Sequence, residues 1–209
     1  MMMLPGDNGM ISSLDGQIRR ICVSGAICEM SAAMFLEQLT AFEYMDVSKT
    51  ITIYINSYGG DVHSAMLMFD AIKTCSCPIT TIAVGSCMSA ATLLFAAGDK
   101  GNRYVSEHCR LMIHEVSGGA IGSLSELEAS VKEAKYLQDQ YLSLLAKETG
   151  TSESKIRADI KSGDLYMSAK ESIAYGLADA VVPIRKQQQK TAKKKVEKKV
   201  VKIEKKAGK

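Results

Sequence analysis

No uninterrupted apolar run in this sequence reaches the roughly 18 residues that a bilayer-spanning helix needs. The start, MMMLPGDNGM, has no basic region followed by an apolar core, so no secretory signal is read there. Histidine is scarce: three in 209 residues leave few candidates for a base that titrates near neutrality. Cys75 and Cys77 form a C-x-C pair with no second Cys/His pair at zinc-finger spacing, so no metal site is expected. There is no internal repeat. The six cysteines lie mostly within apolar runs, and a chain this long can bury a core without disulfide staples. They are expected as reduced thiols, which points to the cytoplasm.

What is present is an ordinary globular composition, 46% apolar and 23% charged, sufficient for one α/β domain with some additional chain. The net charge of +3 conceals a division. Residues 185–209 hold twelve Lys/Arg and two Glu, whereas the preceding 184 residues hold fourteen Lys/Arg and twenty-one Asp/Glu. An acidic body therefore carries a basic tail, too charged to bury a core of its own. The expected organisation is an arm over 1–16, a folded domain over 17–184 and a disordered Lys-rich tail over 185–209. Nucleic-acid contact by the tail is at most an accessory role, since such tails are usually only solvated.

Along the chain, Gln17–Ser24 reads as a strand and Ser31 as the cap of a helix reaching Met45, with Phe35, Leu39 and Phe42 on one stripe. Thr50–Asn56 is a β-branched strand. Ser57–Gly60 reads as a turn, and Asp61 caps a helix over Val62–Thr74. Ile79–Val84 has the character of a strand buried on both faces, and Ala90–Ala97 is helix-permissive. The order β-α-β-α-β implies a mostly parallel sheet with right-handed crossovers. Arg103–Val105 and Arg110–Ile113 read as short strands. Ser123 with Glu126 forms a capping box that opens a helix running to Glu148. Leu124, Leu127, Val131, Ala134, Leu137, Tyr141 and Leu144 share one stripe of that helix, which is expected to project and to be covered by self-association. Ser152–Ile160 reads as a further helix, Gly163–Tyr166 as a loop, Ser168 with Glu171 as a second capping box, and Ala178–Ile184 as a last extended segment.

Three features can carry chemistry. Gly85–Ser89 joins a strand to a helix start, where free N–H groups stabilise negative charge, so Ser89 reads as a nucleophile. Serine is also a favoured helix cap, and Ser86 competes for either role. His114 follows the strand Arg110–Ile113 and can serve as base and then acid. His63, in a first helical turn, and His108, in a polar loop, read as solvated. Gly59-Gly60 allows close backbone approach, and its N–H groups with that of Ala90 can form an oxyanion hole. An aspartate is needed to orient the histidine, and composition leaves many candidates.

Four blocks, INSYGGDVHSAMLMFDAI (55–72), VGSCMSAATLLFAAGDKGNRYV (84–105), RLMIHEVSGG (110–119) and YMSAKESIAYGLADAVV (166–182), resemble ClpP, the proteolytic subunit of the Clp protease, in order and spacing. The resemblance spans about residues 19–182. It implies a spiral of ββα units with a projecting handle, a fold shared with the crotonases. It further implies a serine endopeptidase in which Ser89 is the nucleophile, His114 the base and Asp164 the orienting carboxylate. Asp164 precedes Tyr166-Met167-Ser168-Ala169, although 159–164 runs one residue longer than the family's usual segment. The oxyanion donors implied are Gly60 and Ala90. Gly59, Val62, Gly118 and Gly119 fall in the substrate groove, where extended polypeptide pairs along a strand edge. Stacked heptameric rings, an AAA+ unfoldase partner that alone would use ATP, and no cofactor of the subunit itself follow from the same resemblance. Tyr58 stands where the family commonly has Pro, and Glu115 where it has Gln. Such departures suit a divergent relative such as a phage head-maturation peptidase. Two rival readings are a catalytically silent ring subunit and a crotonase-type acyl-CoA enzyme.

Overall fold

In a computed structural model, residues 19–182 are described. The arm over 1–16 and the tail over 185–209 lie outside them. The order is β1 (Arg20–Ile27), α1 (Glu29–Met45), β2 (Ile51–Gly60), α2 (Val62–Thr74), β3 (Ile79–Met88), α3 (Ala90–Ala96), β4 (Arg103–Val105), β5 (Arg110–Ile113), α4 (Leu124–Thr149), α5 (Glu153–Lys161), β6 (Leu165–Met167), α6 (Ala169–Ala174) and β7 (Ala180–Val181). One mixed sheet carries the strand path β1-β2-β3-β4-β7, every pair on it parallel. Alternate residues of the first three strands (Ile21, Val23, Ile51, Ile53, Ile55, Ile79, Ala83) are buried in one core with the apolar residues of α1, α2 and α3. All seven residues of α3 are buried, so this short helix runs through the core.

The feature that builds the site is a fork in β3. Its first half pairs with β4, Thr81 to Ala83 opposite Arg103 to Val105. Its second half pairs with β5, Ser86 to Met88 opposite Arg110 to Met112. β6 then adds antiparallel to the other side of β5, with Ile113 opposite Leu165. Register alone therefore sets the residues after β3, after β5 and before β6 side by side.

Several boundaries differ from the sequence reading. β1 is displaced to Arg20–Ile27, and the Arg19 guanidinium donates to the carbonyls of Phe42 in α1 and of Asp46 and Lys49 in the segment that follows it. The first helix starts at Glu29 with Cys28 as cap, and Ser31 works from the third helical position by accepting from the Cys28 N–H at 2.9 Å. Ser57–Gly60 is the end of β2 and not a turn. A register shift past Ile55 lets the strand continue, and positive φ at Gly59 and Gly60 carries it under the β3–α3 junction. β3 likewise extends to Met88. The stretch read as a loop over 163–166 contains the start of β6, which is short and recognisable only by its pairing to β5.

Candidate active site

Ser89 leaves β3 at φ 54° and ψ −132°, the one non-glycine residue with positive φ among the described residues. That backbone state costs about 1–3 kcal/mol and persists only where neighbours impose it. Here the Ser89 N–H donates to the Met112 carbonyl at 2.8 Å, continuing the β3–β5 ladder, while the Thr92 hydroxyl donates to the Ser89 carbonyl at 2.6 Å. The side chain does not cap α3. Its Oγ lies 2.7 Å from His114 Nε2, at hydrogen-bond distance. Ser86 is an ordinary β3 residue whose N–H donates to Asn56 Oδ1. His63 and His108 are exposed, as expected of solvated side chains.

Asp164 is brought to the same place, but less closely. His114 Nδ1 and Asp164 Oδ1 are 4.0 Å apart, beyond a direct hydrogen bond, and the Asp164 side chain is 47% exposed. Among the described residues its carboxylate accepts one hydrogen bond, a long 3.5 Å contact from the Tyr166 hydroxyl. The aspartate thus faces Nδ1, the imidazole nitrogen turned away from Ser89. Catalytic hydrogen bonds are often long in unliganded enzymes and tighten when substrate binds.

The glycines have separate tasks. A methyl group at Gly59 would lie 2.7 Å from Ser89 Cβ and 2.9 Å from the Met88 carbonyl oxygen, so Gly59 is what lets the end of β2 pass beneath the serine turn. A methyl group at Gly60 would lie 2.2 Å from the Ile27 carbonyl oxygen, so Gly60 is pressed against β1. Gly60, Ala90, Ser89 and His114 line one cavity of about 50 Å³. A second cavity of about 530 Å³ shares Gly60, Val62, Val116 and Ser117 with it and extends to Gly118, Gly119 and the Ser130–Leu137 side of α4. Gly59 lines neither cavity and serves the serine turn from below.

Three residues of the site were not singled out from sequence for this role. Thr92 and Tyr141 meet at 2.9 Å behind Ser89. Burial pushes the Tyr141 phenol well above its ordinary pKa, only partly offset by its hydrogen bond with Thr92, so the group is a neutral donor. Gln138 accepts from the Val116 N–H and ties the segment after His114 to α4. The clue available in sequence was a polar atom on an apolar stripe: Tyr141 was grouped with residues awaiting a partner. In the structure Tyr141, Leu142 and Leu145 are buried against the body, while Leu124 and Val131, further forward, are exposed. Among the described residues no group of three or more His, Cys, Asp or Glu could hold a metal, all six cysteines are free, and no helix is long and apolar enough to cross a membrane.

A hydroxyl held in a strained turn against an imidazole, beside a cavity floored by a core helix, can be activated as a nucleophile for acyl transfer. The family model for Clp protease matches residues 10–185, and the chain belongs to that family of peptidases. It is 36% identical over 169 residues to ATP-dependent Clp protease proteolytic subunit 2 of Chlamydia trachomatis serovar D, covering 81% of this chain and 83% of the relative. The corresponding subunit of Chlamydia trachomatis serovar A matches to the same extent.

Proposed function

We propose that this chain is a serine endopeptidase that cleaves extended or unfolded polypeptide inside a ring-shaped assembly of its own copies. The observation carrying the reading is the 2.7 Å contact between Ser89 Oγ and His114 Nε2 at a strained serine. His114 Nε2 removes the Ser89 proton as Oγ attacks the scissile carbonyl carbon, and the Gly60 and Ala90 N–H groups receive the oxyanion. The same imidazole then protonates the leaving amine. Water, deprotonated in turn by His114, releases the acyl group from Ser89. Asp164 closes on His114 Nδ1 and holds the tautomer that leaves Nε2 free to accept. The peptide lies along the groove between Gly60–Val62 and Gly118–Gly119.

Assembly into stacked rings, heptameric by resemblance, is supported by the exposed forward half of α4, where Leu124, Val131 and Tyr136 face solvent. An AAA+ unfoldase would supply substrate and use the ATP, and the subunit needs no cofactor. Six free cysteines suit a reducing compartment, the cytoplasm. The 4.0 Å gap at Asp164 favours one second reading, a silent ring subunit. A fluorophosphonate probe separates the two: labelling of the wild type and not of Ser89→Ala, together with loss of peptide hydrolysis on the order of 10⁶-fold in that variant, is expected. Absence of labelling in the assembled wild type would favour the silent subunit.

A further inference from the structure

The cavity beside Ser89 is small, and one side chain makes it so. It is walled by Val62 and Ala65 of α2, Leu93 of α3 and Tyr141 of α4, with Ser89, Ala90 and His114 at its mouth, and holds about 50 Å³. An engineered apolar cavity that binds benzene measures about 150 Å³. The remaining volume suits a methyl group and has no space for an isobutyl group or a phenyl ring.

Tyr141 cannot easily swing aside. The residue is 4% exposed and its hydroxyl sits 2.9 Å from Thr92 Oγ1. The Thr92 proton is committed to the Ser89 carbonyl at 2.6 Å, so Tyr141 is the donor of the pair. Rotating the phenol out would take the donor from the buried Thr92 Oγ1, a cost of about 1–3 kcal/mol. The ring is therefore pinned from behind by the nucleophile's own helix. Ala65 and Leu93 are likewise fully buried, so packed core elements hold the cavity on its α2, α3 and α4 sides, and Gly60 and the segment Glu115–Ser117 complete its lining.

We infer that Tyr141 is the specificity-determining residue of this peptidase, restricting the residue on the N-terminal side of the scissile bond to a small side chain, alanine above all. The inference rests on Ser89 being the nucleophile. The 530 Å³ cavity next to it, running along Gly118–Gly119 and α4, accommodates the rest of the extended peptide and imposes no such limit.

The test is a series of N-acetylated tripeptide coumarin amides that differ only in the residue before the coumarin: Ala, Val, Leu or Phe. For the full-length assembled protein, kcat/KM for Ala should exceed that for Leu and Phe by at least tenfold, on the order of what one misfitting methylene costs in an apolar pocket. Tyr141→Ala, and more mildly Tyr141→Leu, should reverse the order, chiefly through KM for the larger residues. Tyr141→Phe, which keeps the ring, should keep the preference for Ala. Melting curves identify any variant that has lost its fold, and Tyr141→Leu covers failure of Tyr141→Ala. Wild-type preference for Leu or Phe, or an unchanged order in a folded Tyr141→Leu, overturns the inference while leaving the Ser89 mechanism standing. No Ser89-dependent turnover of any peptide overturns both.

Discussion

Ser89 concentrates the strain of the molecule in one residue, at φ 54°. The turn is tolerated because three groups hold it: the Met112 carbonyl, the Thr92 hydroxyl and the glycine beneath it at position 59. Gly59→Ala forces a methyl group to within 2.7 Å of Ser89 Cβ at a backbone φ of +96°. It should cost about 1–3 kcal/mol and slow fluorophosphonate labelling of Ser89, checked by urea denaturation and labelling kinetics on the same sample. Asp164 is the opposite case. It is half exposed and makes one weak contact, so Asp164→Asn should leave the melting temperature unchanged while lowering kcat by about 10⁴, because the imidazole loses the partner that selects its tautomer. Steady-state kinetics beside thermal melting would check this, and a fall of less than tenfold would remove Asp164 from the mechanism. The serine and histidine were legible as residue types at strand ends. The aspartate was placed by the resemblance to a family motif, and composition did not choose it.

At the scale of elements, α4 is the least uniform. Its 26 residues extend about 39 Å at the α-helical rise, yet burial is confined to Tyr141, Leu142, Leu145 and Glu148 near its end. Its forward half depends on local chemistry, above all the capping box in which Ser123 Oγ accepts from the Glu126 N–H and Glu126 Oε2 accepts from the Ser123 N–H. Hydrogen bonding holds the Glu126 carboxyl below its usual pKa despite the small opposing effect of desolvation. Ser123→Ala should cost about 1 kcal/mol of local helix stability and speed amide exchange over the first turns. Thermal unfolding of the packed body should stay the same, and exchange-mass spectrometry reads both. This cap was legible from spacing alone, as were Asp61 before α2 and the Ser168–Glu171 pair before α6, because such signals lie within three residues of each other. The ends of β2 and β3 were not legible. Whether a glycine-containing segment continues a strand depends on the neighbour it pairs with.

Across the whole molecule, an ion pair between the buried Arg103 and the partly buried Asp179 binds the segment before β7 to the sheet and to α4. Asp179 accepts from the N–H groups of Gly101 and Arg103 and from the Arg103 guanidinium, at 2.6 to 3.0 Å, while the same guanidinium donates to the Glu148 carbonyl. Burial pushes the Asp179 carboxyl upward, but the Arg103 side chain and the surrounding N–H donors outweigh it and the net shift is down. A carboxyl depressed in the folded state contributes stability that is complete above its ordinary value, about pH 4, and is lost as the pH falls through the depressed one. Asp179→Asn should therefore lower stability by about 3 kcal/mol at pH 7, since Arg103 is left buried with a neutral partner. The gap to wild type should narrow below pH 4, measured as urea midpoints against pH, and a gap independent of pH would show that Asp179 acts through packing and not through its charge.

By itself the sequence determined the features that short-range chemistry writes: the β-α-β-α-β order, the helix caps, the β-branched strands and the motif set that marks the Clp protease family. Only the tertiary structure decided that β3 divides between β4 and β5, that β6 adds antiparallel beyond them, and that Tyr141 reaches from a distant helix to fill the space beside Ser89. The reason is physical. A cap or an alternating strand is specified by neighbours a few residues away, whereas a site assembled from strands 25 to 75 residues apart is specified by which backbone edges remain free to pair once the core has closed.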